Sequence, residues 1–247
     1  MIGVASFLLV DLSALVASIP LPAGTEPPVL PPPALLKLVS IIQPAVITTL
    51  AIGVGCWLSQ SVGLHAPAAE AAAKGERFLA RLKPQIVPGV IAGLASGLAV
   101  VAAWVIAKPF LSTEFVMRAQ QFNQLLPHAT RFLYGGFTEE LLLRFGLMTL
   151  LVWAAWRLFQ KGRGEPRAAY VVGAIVLSAV VFGMGHLPLA SILAGGLSLP
   201  LVIYVITANS LFGIVAGFLY WRRGLESAMI AHVSVHVVLI SAIYLAF

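Results

Sequence analysis

Long apolar runs, separated by short polar or proline-rich segments, dominate the pattern of the chain. The runs lie near residues 1–20, 34–61, 87–108, 132–157, 169–187, 199–221 and 225–247. Because a helix needs about 20 apolar residues to cross a bilayer, each run is long enough for one transmembrane helix. The pattern predicts an all-α, polytopic transmembrane helical bundle of about seven spans. An eighth span follows if residues 187–221 split at Gly195, Gly196 and Pro200.

The polar segments suggest how the chain is divided. Seven prolines between Pro20 and Pro33 exclude a continuous helix there, so this connector is expected to lie outside the hydrocarbon. The Ala-rich segment 67–81 is predicted to form a helix outside the hydrocarbon. We therefore expect N-terminal transmembrane helices with the Pro-rich connector over residues 1–110, and a transmembrane core over residues 111–247.

Composition supports a membrane protein and excludes several other classes. The chain is 60% hydrophobic and 10% charged, with a mean hydropathy of +0.99, which is far from the composition of soluble domains. Its one cysteine, Cys56, excludes an internal disulfide and a thiolate zinc cluster.

Membrane topology explains the net charge of +6 better than nucleic-acid binding does, and we do not expect a nucleic-acid partner. Ten basic residues fall in loops on one predicted face: Lys74, Arg77, Arg81, Lys83, Arg157, Lys161, Arg163, Arg167, Arg222 and Arg223. The positive-inside rule makes this face cytoplasmic. With seven spans, the N-terminus is then predicted inside and the C-terminus outside.

Glu139, Glu140 and Arg144 are charged residues inside one apolar run. A charge in the middle of a transmembrane helix costs about 2.5–3.5 kcal/mol on insertion scales, so such residues normally face a cavity and serve a function. Glu140 and Arg144 are four residues apart, which predicts an ion pair on one helical face. This pairing leaves Glu139, about 100° round the helix, available as a general base. The alternative is a buried network that only holds helices together.

Three histidines lie in the following apolar runs. His186 closes the run 169–187, and Phe182, four residues earlier, is expected to pack against its imidazole ring. His232 and His236 are also four residues apart and share a helical face, which permits a common metal ion or a common substrate atom. Packing between helices is the alternative role for each histidine.

Residue counts exclude several designs of intramembrane protease. Asp11 is the only aspartate, so a two-aspartate site is excluded. His232 is followed by Val233, so the His-Glu-x-x-His zinc motif is absent. The nearest run to the rhomboid Gly-x-Ser-Gly motif is Leu94-Ala-Ser-Gly97. A design based on glutamate and histidine remains.

Three motifs occur in order on successive membrane runs: Glu139-Glu140-x-x-x-Arg144, Phe182-x-x-x-His186 and His232-x-x-x-His236. Together they resemble the CPBP family, named for CAAX proteases and bacteriocin-processing enzymes and also called Abi-like. The resemblance covers roughly residues 130–245. It implies that the core over residues 111–247 is a CPBP-like catalytic transmembrane core.

The resemblance implies roles for individual residues. In that family, the first glutamate of the pair and the histidine of the second motif are held to activate a water, which implies these roles for Glu139 and His186. The third motif is held to stabilise the oxyanion, which implies that role for His232 and for position 236. The family usually has Asn or Asp at that position, and here it is His236. A three-histidine zinc site with His186 and His232 is therefore also open.

The resemblance also implies a function and a location. We expect an intramembrane endopeptidase, metallo- or glutamate-dependent, that hydrolyses a membrane-anchored or hydrophobic substrate, including a prenylated CAAX-like one. Arg144 would orient the carboxylates of Glu139 and Glu140. The expected partners are the lipid bilayer and a hydrophobic or lipidated peptide, and the expected location is the bacterial plasma (inner) membrane.

Two other functions stay open. A non-enzymatic membrane protein could use the same fold to bind a peptide or confer immunity, although the presence of Glu139, His186 and His232 argues against this. A small transporter could use the carboxylates as a proton relay, but it would predict an inverted repeat, and the sequence has no convincing internal symmetry.

Overall fold

The computed structural model of the chain describes residues 1–17 and 31–246 and contains helices but no strand within these ranges. The α-helices are α1 (Ile2–Ala5), α2 (Leu12–Ala17), α3 (Pro33–Leu58), α4 (Pro67–Ala73), α5 (Phe78–Ala107), α6 (Thr113–Leu125), α7 (His128–Thr130), α8 (Thr149–Gln160), α9 (Ala168–Gly185), α10 (Leu187–Ala194), α11 (Leu199–Arg222) and α12 (Leu225–Ala246). Two π-helical segments, Arg131–Glu139 and Leu141–Met148, continue α7 into α8. Short 3₁₀ turns lie at Ser6–Leu9, Gln60–Val62 and Lys108–Phe110.

Six helical stretches in the described part of the chain are long and apolar enough to cross a membrane. In chain order they are span 1 (Pro33–Leu58), span 2 (Phe78–Phe110), span 3 (His128–Gln160), span 4 (Ala168–Ala194), span 5 (Leu199–Arg222) and span 6 (Leu225–Leu245). The predicted polytopic helical bundle is confirmed, with a lower span count than the seven or eight expected.

The predicted span over residues 1–20 is not among these stretches. The turn Ser6–Leu9 ends at Val10, whose backbone is extended with φ −80° and ψ 131°. The Asp11 carboxylate then accepts a hydrogen bond from the Ala14 N–H at 3.0 Å and caps the separate helix α2. An aspartate that caps a new helix interrupts the apolar run. Residues 18–30, which include most of the Pro-rich connector, lie outside the described ranges.

The predicted break at Gly195 and Gly196 exists, but it does not create another span. Both glycines have positive φ, 69° and 148°, which ends α10. This helix has only 8 residues, too few to cross a bilayer. With six spans, the basic loops still share one face, which the positive-inside rule assigns to the cytoplasm. With this count, the same rule predicts the segment before span 1 on the opposite face, whereas the seven-span count predicts it inside, and the orientation stays a prediction.

Glycines bring span 2 into close contact with span 6, which carries two of the candidate histidines. Gly89, Gly93 and Gly97 recur every four residues along the contact face. A Cβ atom at Gly93 would collide with the backbone of Ala231, and one at Gly89 would lie 2.8 Å from the Ser227 carbonyl oxygen. Small residues at this spacing let membrane helices approach closely. The proposed division at residue 110 stays a prediction, and this interface crosses it.

The N-terminal segment packs against the π-helical part of span 3. Gly3 lies against the Thr138 side chain with no room for a Cβ atom. The Thr130 hydroxyl donates to the Ser6 carbonyl at 3.1 Å, and the Phe7 ring packs edge-on to Tyr134 with centroids 4.8 Å apart. This segment thus covers the span just before the glutamate pair.

The predicted Ala-rich helix outside the hydrocarbon corresponds to α4, which begins at Pro67 as expected for a first helical position. Its first amides are bound by a residue of span 6. The Glu226 Oε1 atom accepts hydrogen bonds from the backbone N–H groups of Ala68 and Ala69, both at 2.9 Å. A carboxylate at a helix N-terminus is a favourable cap, so α4 is fixed to the start of span 6.

Candidate active site

The glutamate pair lies where the two π-helical segments of span 3 meet. Glu139 ends the first segment, and Glu140 separates it from the second, which begins at Leu141. π-Helical turns are rare in proteins and occur frequently at functional sites. Gly135 and Gly136, one turn earlier, are closely approached by His236 and Val233 of span 6. The local sequence thus allows the last span to lie against the carboxylates.

Glu140 is fully buried and held by two partners. Its Oε1 atom accepts a hydrogen bond from Arg144 Nη1 at 3.2 Å and one from His232 Nδ1 at 2.8 Å. The predicted Glu140–Arg144 ion pair is therefore present, with both side chains at 0% exposure. Because a carboxylate only accepts, the His232 proton lies on Nδ1 in this contact.

Arg144 connects the glutamate to two other spans. Its Nη2 atom donates to the Gly213 carbonyl of span 5 at 3.0 Å. Its guanidinium lies 5.1 Å from the Phe182 ring centroid and 5.5 Å from that of Phe212. Cation–π contacts of this kind strengthen when they are removed from water. The arginine thus joins spans 3, 4 and 5 around one buried charge pair.

Glu139 has a different environment, although it is the next residue in the chain. Its side chain is 20% exposed, and its Oε2 atom lies 3.7 Å from His232 Nε2. This separation is longer than a hydrogen bond. The two glutamates therefore lie against opposite nitrogens of one imidazole, with Glu140 bonded to Nδ1 and Glu139 facing Nε2.

His186 is oriented by its own helix and by the Phe182 ring. Its Nδ1 atom donates to the Phe182 carbonyl oxygen at 2.9 Å, which leaves the proton off Nε2 in the neutral ring. The Phe182 ring packs edge-on against His186, with centroids 4.8 Å apart, as predicted. The same ring packs edge-on against His232 with centroids 5.9 Å apart, so Phe182 contacts both histidines.

His236 stacks on His232 and has no polar partner in the described part of the chain. The two rings are nearly parallel, 11° apart with centroids separated by 5.0 Å, which confirms that they share a face. Both ring nitrogens of His236 are buried and make no hydrogen bond among the described residues. Buried polar atoms are rarely left in this state, and an unpaired one requires an explanation.

The three histidines do not form a zinc site in this geometry. Within residues 1–17 and 31–246, no three His, Cys, Asp or Glu side chains are arranged to hold a metal ion. The in-plane lone pairs of His232 and His236 do not converge on one point, because their rings are stacked. A structural or catalytic zinc requires ligands that converge tetrahedrally. Zinc at His186, His232 and His236 stays a prediction.

Sequence reasoning missed several residues of this site. Phe212 packs on the His232 ring at 4.3 Å, and the carbonyl of Gly213 binds Arg144. Gly135 makes room for the His236 ring. The two glycines interrupt apolar runs, which is a usable signal of close helix contact. The contact between His232 and Glu140 joins residues 92 positions apart, so no local pattern could have revealed it.

Comparison with protein families gives one match. The family model described as "Type II CAAX prenyl endopeptidase Rce1-like" matches residues 121–238, which include all six candidate site residues. The match confirms the resemblance drawn from the three motifs: this part of the chain is similar to the CAAX protease family. It supports intramembrane endopeptidase activity of the CAAX type in general, in an integral membrane protein. Neither the curated proteins nor the solved structures gave a match.

Proposed function

We propose that this protein is an intramembrane endopeptidase that hydrolyses a peptide bond of a membrane-anchored or hydrophobic substrate, including a prenylated CAAX-like peptide. The observation that carries the proposal is the contrast within the glutamate pair. Glu140 is bonded to Arg144 and His232, whereas Glu139 is partly exposed and makes no hydrogen bond among the described residues, with the His232 Nε2 atom 3.7 Å away. A carboxylate whose oxygens are free to accept a proton, and which lies beside a histidine, suits general base catalysis.

Glu139 and His186 are proposed to activate the attacking water. The neutral His186 ring has a lone pair on Nε2, since its Nδ1 proton is used by Phe182, so it can accept a hydrogen bond from the water and orient it. Glu139 takes the other water proton as the oxygen attacks the carbonyl carbon. The protonated Glu139 carboxyl group is then close to His232 Nε2. It can donate a hydrogen bond to this nitrogen if the 3.7 Å separation shortens.

His236 is proposed to stabilise the oxyanion of the tetrahedral intermediate. A neutral imidazole carries one N–H group, and neither nitrogen of His236 has a partner among the described residues. His232 is less suited to donate, because its proton already binds Glu140. The intermediate collapses when the C–N bond breaks and the proton held by Glu139 passes to the leaving amine. Preorganised donors at a developing oxyanion are typically worth about 10²–10³ in rate.

Glu140 and Arg144 are proposed to position these groups without reacting. The Glu140 carboxylate fixes the tautomer and the ring orientation of His232 through the 2.8 Å hydrogen bond. Arg144 compensates the buried carboxylate and anchors it to Gly213. Ligands and bases held by such buried partners keep their geometry through the reaction.

The location of the site and the family match support the proposed substrate class. The site residues lie in spans 3, 4 and 6, inside helices whose outer faces expose large apolar side chains. A lipidated or hydrophobic peptide can reach such a site from the bilayer. We place the protein in the bacterial plasma membrane, because many members of the resembled family are bacterial.

The proposal is tested by cleavage of hydrophobic and prenylated peptides in detergent, with products identified by mass spectrometry. Wild type is expected to cleave, and Glu139→Gln to lose about 10²–10⁴ of the rate, the range for a general base. Glu114→Gln is the matched control, because this glutamate forms an exposed ion pair with Arg118 away from the glutamate pair. No cleavage by folded wild type would instead favour the peptide-binding or immunity function.

A chelator arm and metal analysis of the purified protein address the zinc prediction in the same experiment. Loss of activity with chelator, restored by zinc, would support metal ligation at His186, His232 and His236. Unchanged activity and no bound metal would support a glutamate-dependent reaction. In either case, dependence on Glu139 decides whether the protein is a protease of the proposed type.

A further inference from the structure

Arg131 is a second buried cation of span 3, and its charge has no carboxylate partner among the described residues. Its side chain is 9% exposed. Its Nη2 atom donates to two neutral oxygens of Asn123, the carbonyl at 2.6 Å and Oδ1 at 2.9 Å, and its Nε atom is buried without a partner. Buried charges are normally paired, because their burial costs several kcal/mol per ion. Arg144, in contrast, has its glutamate.

The position of Arg131 connects it to the candidate active site. The next residue, Phe132, packs edge-on to His236 with ring centroids 6.5 Å apart. One turn further, Gly135 leaves the space that His236 Nε2 fills. Arg131, Gly135 and Glu139 recur every four residues along span 3, and His236 of span 6 lies against Gly135. A substrate extended along this part of span 3 would pass all three polar groups, Glu139, His236 and Arg131.

A purely structural role for Arg131 explains only part of these contacts. Asn123 lies in the last turn of α6, where backbone carbonyls lack helical partners, so an arginine there is a favourable cap. A cap, however, uses only Nη2 and does not require the burial of Nε. Arginines near helix ends usually extend to water instead. The burial of this charge without a carboxylate partner among the described residues, together with the unpaired Nε, indicates an anionic ligand.

We propose that Arg131 binds a carboxylate of the peptide substrate, on the leaving-group side of the scissile bond. This inference rests on the proposed protease function. Arg131 and Glu139 are eight residues apart, which is at most about 12 Å along the helix axis. Three extended residues span about 10 Å. The spacing therefore suits a carboxylate two or three residues beyond the cleaved bond, held by the planar guanidinium.

Two sources can supply this carboxylate: the C-terminus of the substrate or an acidic side chain near it. The test uses binding, so that it needs no turnover. Fluorescent hydrophobic peptides are prepared as the free acid, as the C-terminal amide, and as an amide with an aspartate near the end. Their affinities are measured for the full chain in detergent, in the Glu139→Gln background that prevents cleavage.

The free acid is expected to bind at least about tenfold more tightly than the amide, as for a hydrogen bond to a charged group. Arg131→Gln is expected to abolish this difference, Arg131→Lys to keep part of it, and Arg118→Gln to leave it unchanged. Arg118 is the matched control, since it pairs with Glu114 and donates to the Leu193 carbonyl. Tight binding of the aspartate peptide would identify side chains as the source.

Equal affinity of folded protein for acid, aspartate and amide peptides would overturn the proposal before any variant is made. A difference that persists in Arg131→Gln would also overturn it. The protease function is tested separately, by cleavage. If the protein prefers the carboxylate peptide but shows no Glu139-dependent cleavage, the protease function is contradicted and the carboxylate site is still supported.

Discussion

Glu139 and Glu140 are consecutive residues with opposite surroundings. Glu140 belongs to an inner network with Arg144 and His232 Nδ1, in which both charges are fully buried and paired. Glu139 belongs to an outer row, defined as Glu139, His186 and His236, in which the carboxylate is 20% exposed and both ring nitrogens of His236 have no partner in the described residues. The inner network also leaves Glu140 Oε2 and Arg144 Nε without a partner, but its two charges are bonded to each other. A bonded charge pair holds a geometry, whereas a partly exposed carboxylate without a short contact is available for a substrate. The pair thus separates positioning from chemistry.

The largest effect on the inner network is expected for Arg144→Met. Removal of one partner of a buried ion pair leaves Glu140 uncompensated and typically costs about 3–5 kcal/mol of stability. The thermal unfolding midpoint in detergent should fall by about 10 °C. Arg118→Met is the control, because its ion pair with Glu114 is partly exposed and worth little. An unchanged midpoint for Arg144→Met would show that the inner network is not structural.

A smaller effect is expected for Gly135→Ala, which disturbs the contact between span 3 and His236 of span 6. The new Cβ atom would collide with His236 Nε2, and overpacking of this kind costs about 1–3 kcal/mol. Cleavage should fall, and a second substitution, His236→Asn, should restore part of it because asparagine is shorter. Gly53→Ala is the control, since nothing lies within 4 Å of its added Cβ atom. Additive effects of the two substitutions would show that these positions are not coupled.

The smallest effect is expected for His236→Asn alone. Asparagine also carries an N–H donor, so the oxyanion keeps a partner and cleavage should change by less than about tenfold. His236→Leu, which has no donor, should lose about 10²–10³ of the rate, as for the loss of one oxyanion donor. Equal cleavage rates for the two variants would contradict the role of His236 as a donor to the oxyanion.

The sequence predicted the parts of this account that depend on local spacing. The ion pair of Glu140 with Arg144 and the stacking of His232 on His236 both follow from the i, i+4 geometry of a helix. The helical bundle follows from the apolar runs. Those features need no knowledge of the tertiary fold.

The remaining features arise from tertiary contacts and could not be read in the same way. The hydrogen bond of His232 to Glu140 depends on how span 6 docks against span 3. The inward position of Arg131 depends on Asn123 of α6. The predicted first span failed because hydropathy alone cannot show that Asp11 caps a new short helix. Apolar length is necessary for a span but does not exclude a turn.

The difference between the two glutamates is tested most directly by thermal unfolding of Glu139→Gln and Glu140→Gln side by side in detergent. Glu140→Gln removes the charge that compensates Arg144, so its midpoint should fall by about 10 °C. Glu139→Gln should unfold within about 2 °C of wild type, because its carboxylate makes no short contact that the substitution breaks. Equal destabilisation by both variants, or a larger loss for Glu139→Gln, would contradict the separation of positioning from chemistry.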